Sequence, residues 1–221
     1  MKNSQKYFST ASTLALIFVF LGYLVKFYDE WLFFDQPVQN FIRGQLPDAV
    51  TTFFKWITQF ANPVPLSIIT AAFMLFFLLQ KEYIATLWLG FNIVVGAGLV
   101  NHLLKLVYQR PRPDLVHLVT ETSLSFPSGH ATGSLLLFGT LAILAPKISS
   151  NHYLQRTLQI FFGVVILLIG LSRIYLGVHY PSDIIGGYLF GATWLCATYP
   201  LYYRYAFIER FKNPLKKKMK R

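Results

Sequence analysis

Runs of apolar residues, broken at intervals by short polar stretches, dominate the chain. About 20 residues of apolar helix cross the hydrocarbon core of a bilayer. Six runs approach that length, at residues 9–25, 64–79, 83–104, 128–145, 158–171 and 183–201. The pattern predicts an all-α, polytopic membrane protein with six transmembrane helices. The spans leave little chain for a second core, so residues 1–221 read as a single membrane-embedded domain. Between the first two spans, residues 29–62 are polar and aromatic, punctuated by Pro37, Pro47 and Pro63. There Val38, Phe41 and Ile42, then Val50, Phe53, Phe54 and Ile57, recur at helical spacing. That spacing predicts short amphipathic helices on the membrane surface.

Composition agrees. Of 221 residues 54% are hydrophobic, 17% aromatic and 13% charged, against about a quarter charged in a soluble domain. Cys196, the single cysteine, lies in the last apolar run and excludes an intramolecular disulfide. Lys2 and Lys6 precede the first run, but no small-residue cleavage pattern follows it around Lys26 to Trp31, so it reads as a retained helix rather than a signal. Trp31, Trp56, Tyr83, Tyr108 and Tyr153, near span ends, read as an aromatic belt.

The net charge of +11 raises nucleic-acid binding, but eight Lys or Arg fall within residues 204–221 beside one acid, Glu209. A basic tail after an apolar helix fits a cytoplasmic anchor beside anionic lipid, with no nucleic-acid partner. With the N-terminus inside, thirteen Lys or Arg fall in inside segments and seven outside. Cytoplasmic loops carry the excess of basic residues. The bias therefore predicts a multi-pass plasma-membrane protein with both termini cytoplasmic. It places loops 105–127 and 172–182 together on the extracytoplasmic side.

Those two loops carry the suggestive chemistry. Lys105 is followed after six residues by Arg112-Pro113, and the loop ends in Pro127-Ser128-Gly129-His130. The second loop reads Ser172-Arg173, five residues, His179, three residues, Asp183. Singly, each has a bland explanation: Lys105 and Arg173 as interfacial anchors, Ser128 as a helix N-cap, His179 and Asp183 as a surface pair. Together, anchoring calls for neither the two histidines nor Gly129. Lys105, Arg112 and Arg173 offer about three positive charges to the −1.5 to −2 of a phosphate monoester, and an arginine fork grips two phosphate oxygens. A helix beginning at Ser128 and Gly129 adds free N–H groups and the positive end of its dipole, and Gly129 lets that backbone approach closely. Asp183 can hold His179 in the tautomer that leaves its other nitrogen free to attack. His130, beside the anion-binding helix start, is then the proton donor.

Acids in these loops are few, namely Asp114, Glu121 and Asp183, whereas two-metal phosphatase sites need several carboxylates. The reading therefore needs no metal and no cofactor. His102, His117 and His152 are assigned to interface, loop and cytoplasmic side, outside the chemistry.

The blocks Lys105-x6-Arg112-Pro113, Pro127-Ser128-Gly129-His130 and Ser172-Arg173-x5-His179-x3-Asp183 resemble the three signatures of the type 2 phosphatidic acid phosphatase superfamily. That group includes bacterial phosphatidylglycerophosphate phosphatases and undecaprenyl diphosphate phosphatases. The resemblance covers residues 105–183, with every signature position filled. It implies a six-helix membrane bundle and an outward-facing site. It also implies hydrolysis of a membrane lipid phosphate or diphosphate through a phosphohistidine on His179. His130 would act as acid and then base, Asp183 would orient His179, and Lys105, Arg112, Ser128, Gly129 and Arg173 would bind phosphate. Two other readings stand beside it: a protein that binds or transports a lipid phosphate or other anion without turnover, and a superfamily hydrolase of a soluble phosphate ester.

Overall fold

The computed structural model describes residues 4–212. Most of the basic stretch expected to anchor the C-terminus, from residue 213 onward, lies outside the described residues. Among the described residues there is no strand. The helices are α1 (Ser4–Phe27), α2 (Asp35–Arg43), α3 (Asp48–Ile57) and α4 (Pro63–Leu79), followed by α5 (Tyr83–Tyr108), α6 (Gly129–Ile143), α7 (His152–Tyr175) and α8 (Pro181–Lys212). The chain is a multi-pass membrane protein. Its outward surface is apolar, with Leu16, Phe20, Val64, Ile68, Val94 and Leu167 all more than half exposed. Lipid replaces water as the solvent for such side chains, while the helices satisfy the backbone internally.

α1, α5, α7 and α8 are each long and apolar enough to cross a bilayer. A fifth crossing forms if α3 and α4, bent by 55° at Asn62, count as one broken span. α6 has 15 residues, about 22 Å at 1.5 Å per residue, which is short of a hydrocarbon core of about 30 Å. It is enclosed instead. α6 packs between α7 and α8 and against α5, and ten of its residues are buried. Its Thr, Ser and Gly positions make that possible. Thr140 accepts a 2.9 Å bond from Asn92 Nδ2 on α5, and Trp194 Nε1 on α8 donates to Asn92 Oδ1 at 3.1 Å. Such interhelical hydrogen bonds and small residues hold helices together where hydrophobicity gives no preference between lipid and protein.

A helix forms at each of the six expected positions, four or five of them long and apolar enough to span, and the helix ends shift. α5 runs past residue 104 and carries Lys105 in its last turn, and α7 likewise carries Arg173. α8 continues through Pro200. Hydropathy marks where apolar side chains stop, whereas the hydrogen-bonded backbone continues into polar sequence. The short helices expected within residues 29–62 exist as α2 and α3. α2, however, turns its polar side inward: Asp35 and Gln39 are buried, and Phe41 is 88% exposed. It covers the ends of α7 and α8.

The closest approach of a glycine to another segment's backbone is at Gly187 on α8, where a Cβ would stand 2.8 Å from both Ser128 O and the Ala131 methyl. Thr132 Oγ donates to the Gly187 carbonyl across the same contact. Gly187→Val should therefore lower the thermal unfolding midpoint of the detergent-solubilised protein, by the equivalent of about 1–3 kcal/mol. Gly163→Ala, which meets nothing within 4 Å, should leave that midpoint unchanged or slightly raised.

Candidate active site

Successive long helices run in opposite directions, so the C-terminal ends of α5 and α7 and the N-terminal ends of α6 and α8 share one end of the bundle. Every candidate residue sits there. Ser128 N–H donates to the Asp183 carbonyl at 3.1 Å, which ties the start of α6 to the start of α8. Ser128 Oγ accepts from Ala131 N at 3.4 Å as the N-cap of α6. The bland reading of Ser128 is thus what its hydroxyl does in this structure. Gly129 faces Lys105 and Asn101: a Cβ there would lie 4.0 Å from Lys105 Cε and 3.5 Å from Asn101 Nδ2. The gap is real and small, at the helix end where an anion is favoured.

His179 is 1% exposed, in the turn between α7 and α8. Its Nδ1 lies 3.2 Å from Asp183 Oδ2, and its Nε2 lies 3.3 Å from Arg112 Nη1. The carboxylate assigns the proton to Nδ1 and leaves a lone pair on Nε2. Burial, followed by the charges of Arg112, Lys105, Arg173 and Arg110, pulls the His179 proton affinity well below that of an ordinary histidine. The imidazole is neutral at pH 7, as a nucleophile must be.

Asp183 is fully buried and fully bonded. Oδ1 accepts from Arg110 Nη1 at 2.7 Å. Oδ2 accepts from Ser125 Oγ at 2.5 Å and from Tyr180 N–H at 2.8 Å, beside His179.

Arg112 and Arg173 are joined by one carboxylate. Glu121 Oε2 is 3.3 Å from Arg112 Nη2, and Glu121 Oε1 pairs with Arg173 Nη2. Arg112 is further fixed by Ser123 O at 2.7 Å and Val178 O at 2.6 Å. Thr58 holds Arg173 Nη1 at 2.8 Å, while Arg173 Nε is buried without a partner. A buried N–H without an acceptor at this place is a donor waiting for one. Lys105 Nζ rests on the Leu124 carbonyl.

His130 donates from Nε2 to Asn62 Oδ1 at 2.7 Å, and Asn62 Nδ2 donates to Gln59 Oε1 at 2.6 Å, which fixes the amide orientation. The structure thus brings together Lys105, Arg112, Ser128, Gly129, His130, Arg173, His179 and Asp183. It leaves out His102, His117 and His152, which are exposed.

Sequence reasoning missed a second set: Asp35, Asn62, Arg110, Glu121 and Ser125. Glu121 was in view only as a scarce acid and Arg110 only as part of a charge count. Asp35 and Asn62 carried no signal, because nothing in linear order links them to residues 68 to 147 positions away.

Comparison with known proteins points one way. Residues 85–206 match the PAP2 superfamily. Phosphatidylglycerophosphatase B of Bacillus subtilis is 37% identical over 132 residues, which is 58% of this chain and 62% of that protein. Lipid A 1-phosphatase of Rhizobium etli is 30% identical over 198 residues, 78% of this chain and 79% of that one. The crystal structure of a transmembrane PAP2-type phosphatidylglycerolphosphate phosphatase from Bacillus subtilis superposes with a TM-score of 0.74 at 27% identity. It covers 86% of this chain and 96% of that one.

Because Glu121 shares Arg112 and Arg173 with any incoming anion, Glu121→Gln should tighten orthovanadate binding about fivefold by calorimetry. That corresponds to a gain on the order of 1 kcal/mol for removing one competing charge.

Proposed function

Since the chain belongs to the PAP2 superfamily, we propose that it is a membrane lipid phosphatase, hydrolysing a lipid phosphate monoester or diphosphate by way of a phosphohistidine. One observation carries the reading: a neutral, carboxylate-oriented histidine, His179, lies against Arg112 in a basic cradle at a helix N-terminus. Lys105, Arg112 and Arg173, with the N–H groups at the start of α6, hold the phosphoryl oxygens. These are fixed dipoles and charges aimed at a centre whose negative charge spreads during transfer.

His179 Nε2 attacks phosphorus in line with the lipid oxygen. The P–N bond forms as the P–O bond to the lipid breaks, and His130 gives its proton to the departing oxygen. A water molecule then attacks the phosphohistidine, giving a proton to His130 and releasing inorganic phosphate and neutral His179. Asp183 keeps the Nδ1 proton of His179 in place throughout. The proposal calls for no metal. Its carboxylates are already engaged, Asp183 by Arg110 and Glu121 by Arg112 and Arg173.

The proposed topology has six crossings, with α6 enclosed as one of them and α3–α4 as another. Both termini lie in the cytoplasm and the site faces outward. The excess of Lys and Arg in the inside segments supports this arrangement.

Purified protein in excess chelator should release inorganic phosphate from at least one of phosphatidylglycerophosphate, phosphatidic acid, lipid A 1-phosphate or undecaprenyl diphosphate. His179→Ala should abolish release. His130→Ala should slow it by about 10²–10⁴-fold. Anion binding without turnover in wild-type protein would replace this reading with an anion-binding one.

The rate should fall away in acid. His179 must be neutral and its proton affinity is depressed, so the acid limb should fall below the ordinary histidine value of 6.5. A rate that already falls off above pH 7 as acid is added would contradict the assignment of His179.

A further inference from the structure

Arg110 shares no hydrogen bond with the groups assigned to phosphate, yet it is 4% exposed and bonded through both terminal nitrogens, its Nε alone lacking a partner. Nη1 donates to Asp183 Oδ1 and to Ser182 Oγ, both at 2.7 Å. Nη2 donates to Asp29 Oδ1 at 2.7 Å and Asp35 Oδ2 at 2.9 Å. The guanidinium carbon lies 4.1 Å from the centre of the Tyr180 ring. Burial works against the charge, but Asp183, Asp35 and Asp29 outweigh it and hold Arg110 protonated. Asp35 in turn accepts from Ser182 N–H and Ser182 Oγ at the first turn of α8.

An aspartate side chain has two soft torsions, about its Cα–Cβ and Cβ–Cγ bonds. Arg110 on Oδ1 restrains both, because the other oxygen is then fixed toward His179 Nδ1.

We propose that Arg110 is a positioning residue for the reaction at His179, clamping Asp183 between the loop after α5 and the Asp35 segment so that Oδ2 alone faces the imidazole. The proposal rests on the phosphatase reading for its kinetic consequences. A planar two-nitrogen fork is required, since Nη1 and Nη2 each bridge two acceptors, and an ammonium cannot reproduce that geometry. Arg110 also adds positive charge near His179, beside Arg112, Lys105 and Arg173 and opposite Asp183. His130 faces the same cluster from α6. Removing Arg110 leaves Asp183 uncompensated, so the proton affinity of His179 must rise.

The test uses full-length protein in detergent. Arg110→Gln should lower kcat about 10- to 100-fold, as loss of an orienting partner does, with KM and orthovanadate affinity within about twofold of wild type. Its acid limb should move to higher pH. Arg110→Lys, which keeps the charge and loses the fork, should lose kcat while its acid limb stays nearer the wild-type position. Asp35→Asn breaks the clamp from the far side without touching Asp183, and guards against Arg110→Gln failing to fold. It should lower kcat with KM unchanged.

A rise in KM with kcat preserved would overturn the proposal by placing Arg110 on the substrate. So would an Arg110→Gln acid limb identical to wild type. A histidine-labelled NMR titration of His179 in wild-type and Arg110→Gln protein reads the same shift without turnover. The placement of Arg110 therefore stands or falls separately from the phosphatase reading.

Discussion

Asp183 is a full negative charge with no exposed surface in a protein whose surroundings are apolar. An isolated ion there would be untenable, and a buried charge persists only when paired and hydrogen-bonded. Its partners come from distant parts of the chain: Arg110 and Ser125 from the loop after α5, and Tyr180 and His179 from the turn before α8. Its own carbonyl receives the Ser128 N–H at the start of α6. Satisfying this one group draws the ends of three helices and two loops to a common point. The rest of the site is arranged around that necessity.

The stretch before α4 has a role that its amphipathic pattern hides. On a soluble protein a surface helix buries its apolar face. α2 buries Asp35 and Gln39 and leaves Val38 and Phe41 outward, which suits lipid on one side and a polar site on the other. Each inward group reaches a residue of the site or its frame. Gln39 donates to the His179 carbonyl at 3.1 Å, and Arg43 to Tyr175 O at 3.3 Å and Val116 O at 3.1 Å. Thr58 meets Arg173, and Asn62 meets His130. The segment is a cover whose underside bonds to the candidate site.

The two histidines are oriented by opposite means. His179 leans on a carboxylate that is itself held by a guanidinium, so its positive form is partly compensated. His130 leans on a neutral amide fixed by Gln59, which orients the ring without adding charge. Each ring is thereby fixed in orientation by a hydrogen-bonded partner.

The chain's order of residues was enough to establish the membrane class, to place the long helices approximately and to single out the eight residues of the three signature blocks that the fold brings together. Those properties are local: apolar run length, charge between runs, and spacing within a turn or two of helix. It also implied that loops 105–127 and 172–182 share one side, because helices that cross must alternate. The partners of the site were not legible. Arg110 on Asp183, Asn62 on His130, and Glu121 between two arginines are pairings across 9 to 73 positions, chosen by where helices bend and pack. α6 shows the same division. Its apolar length alone is marginal for a span, and only the close crossing at Gly187 and the enclosing α5, α7 and α8 decide that it belongs at the centre. Contacts between remote segments depend on packing geometry, which no window of sequence contains.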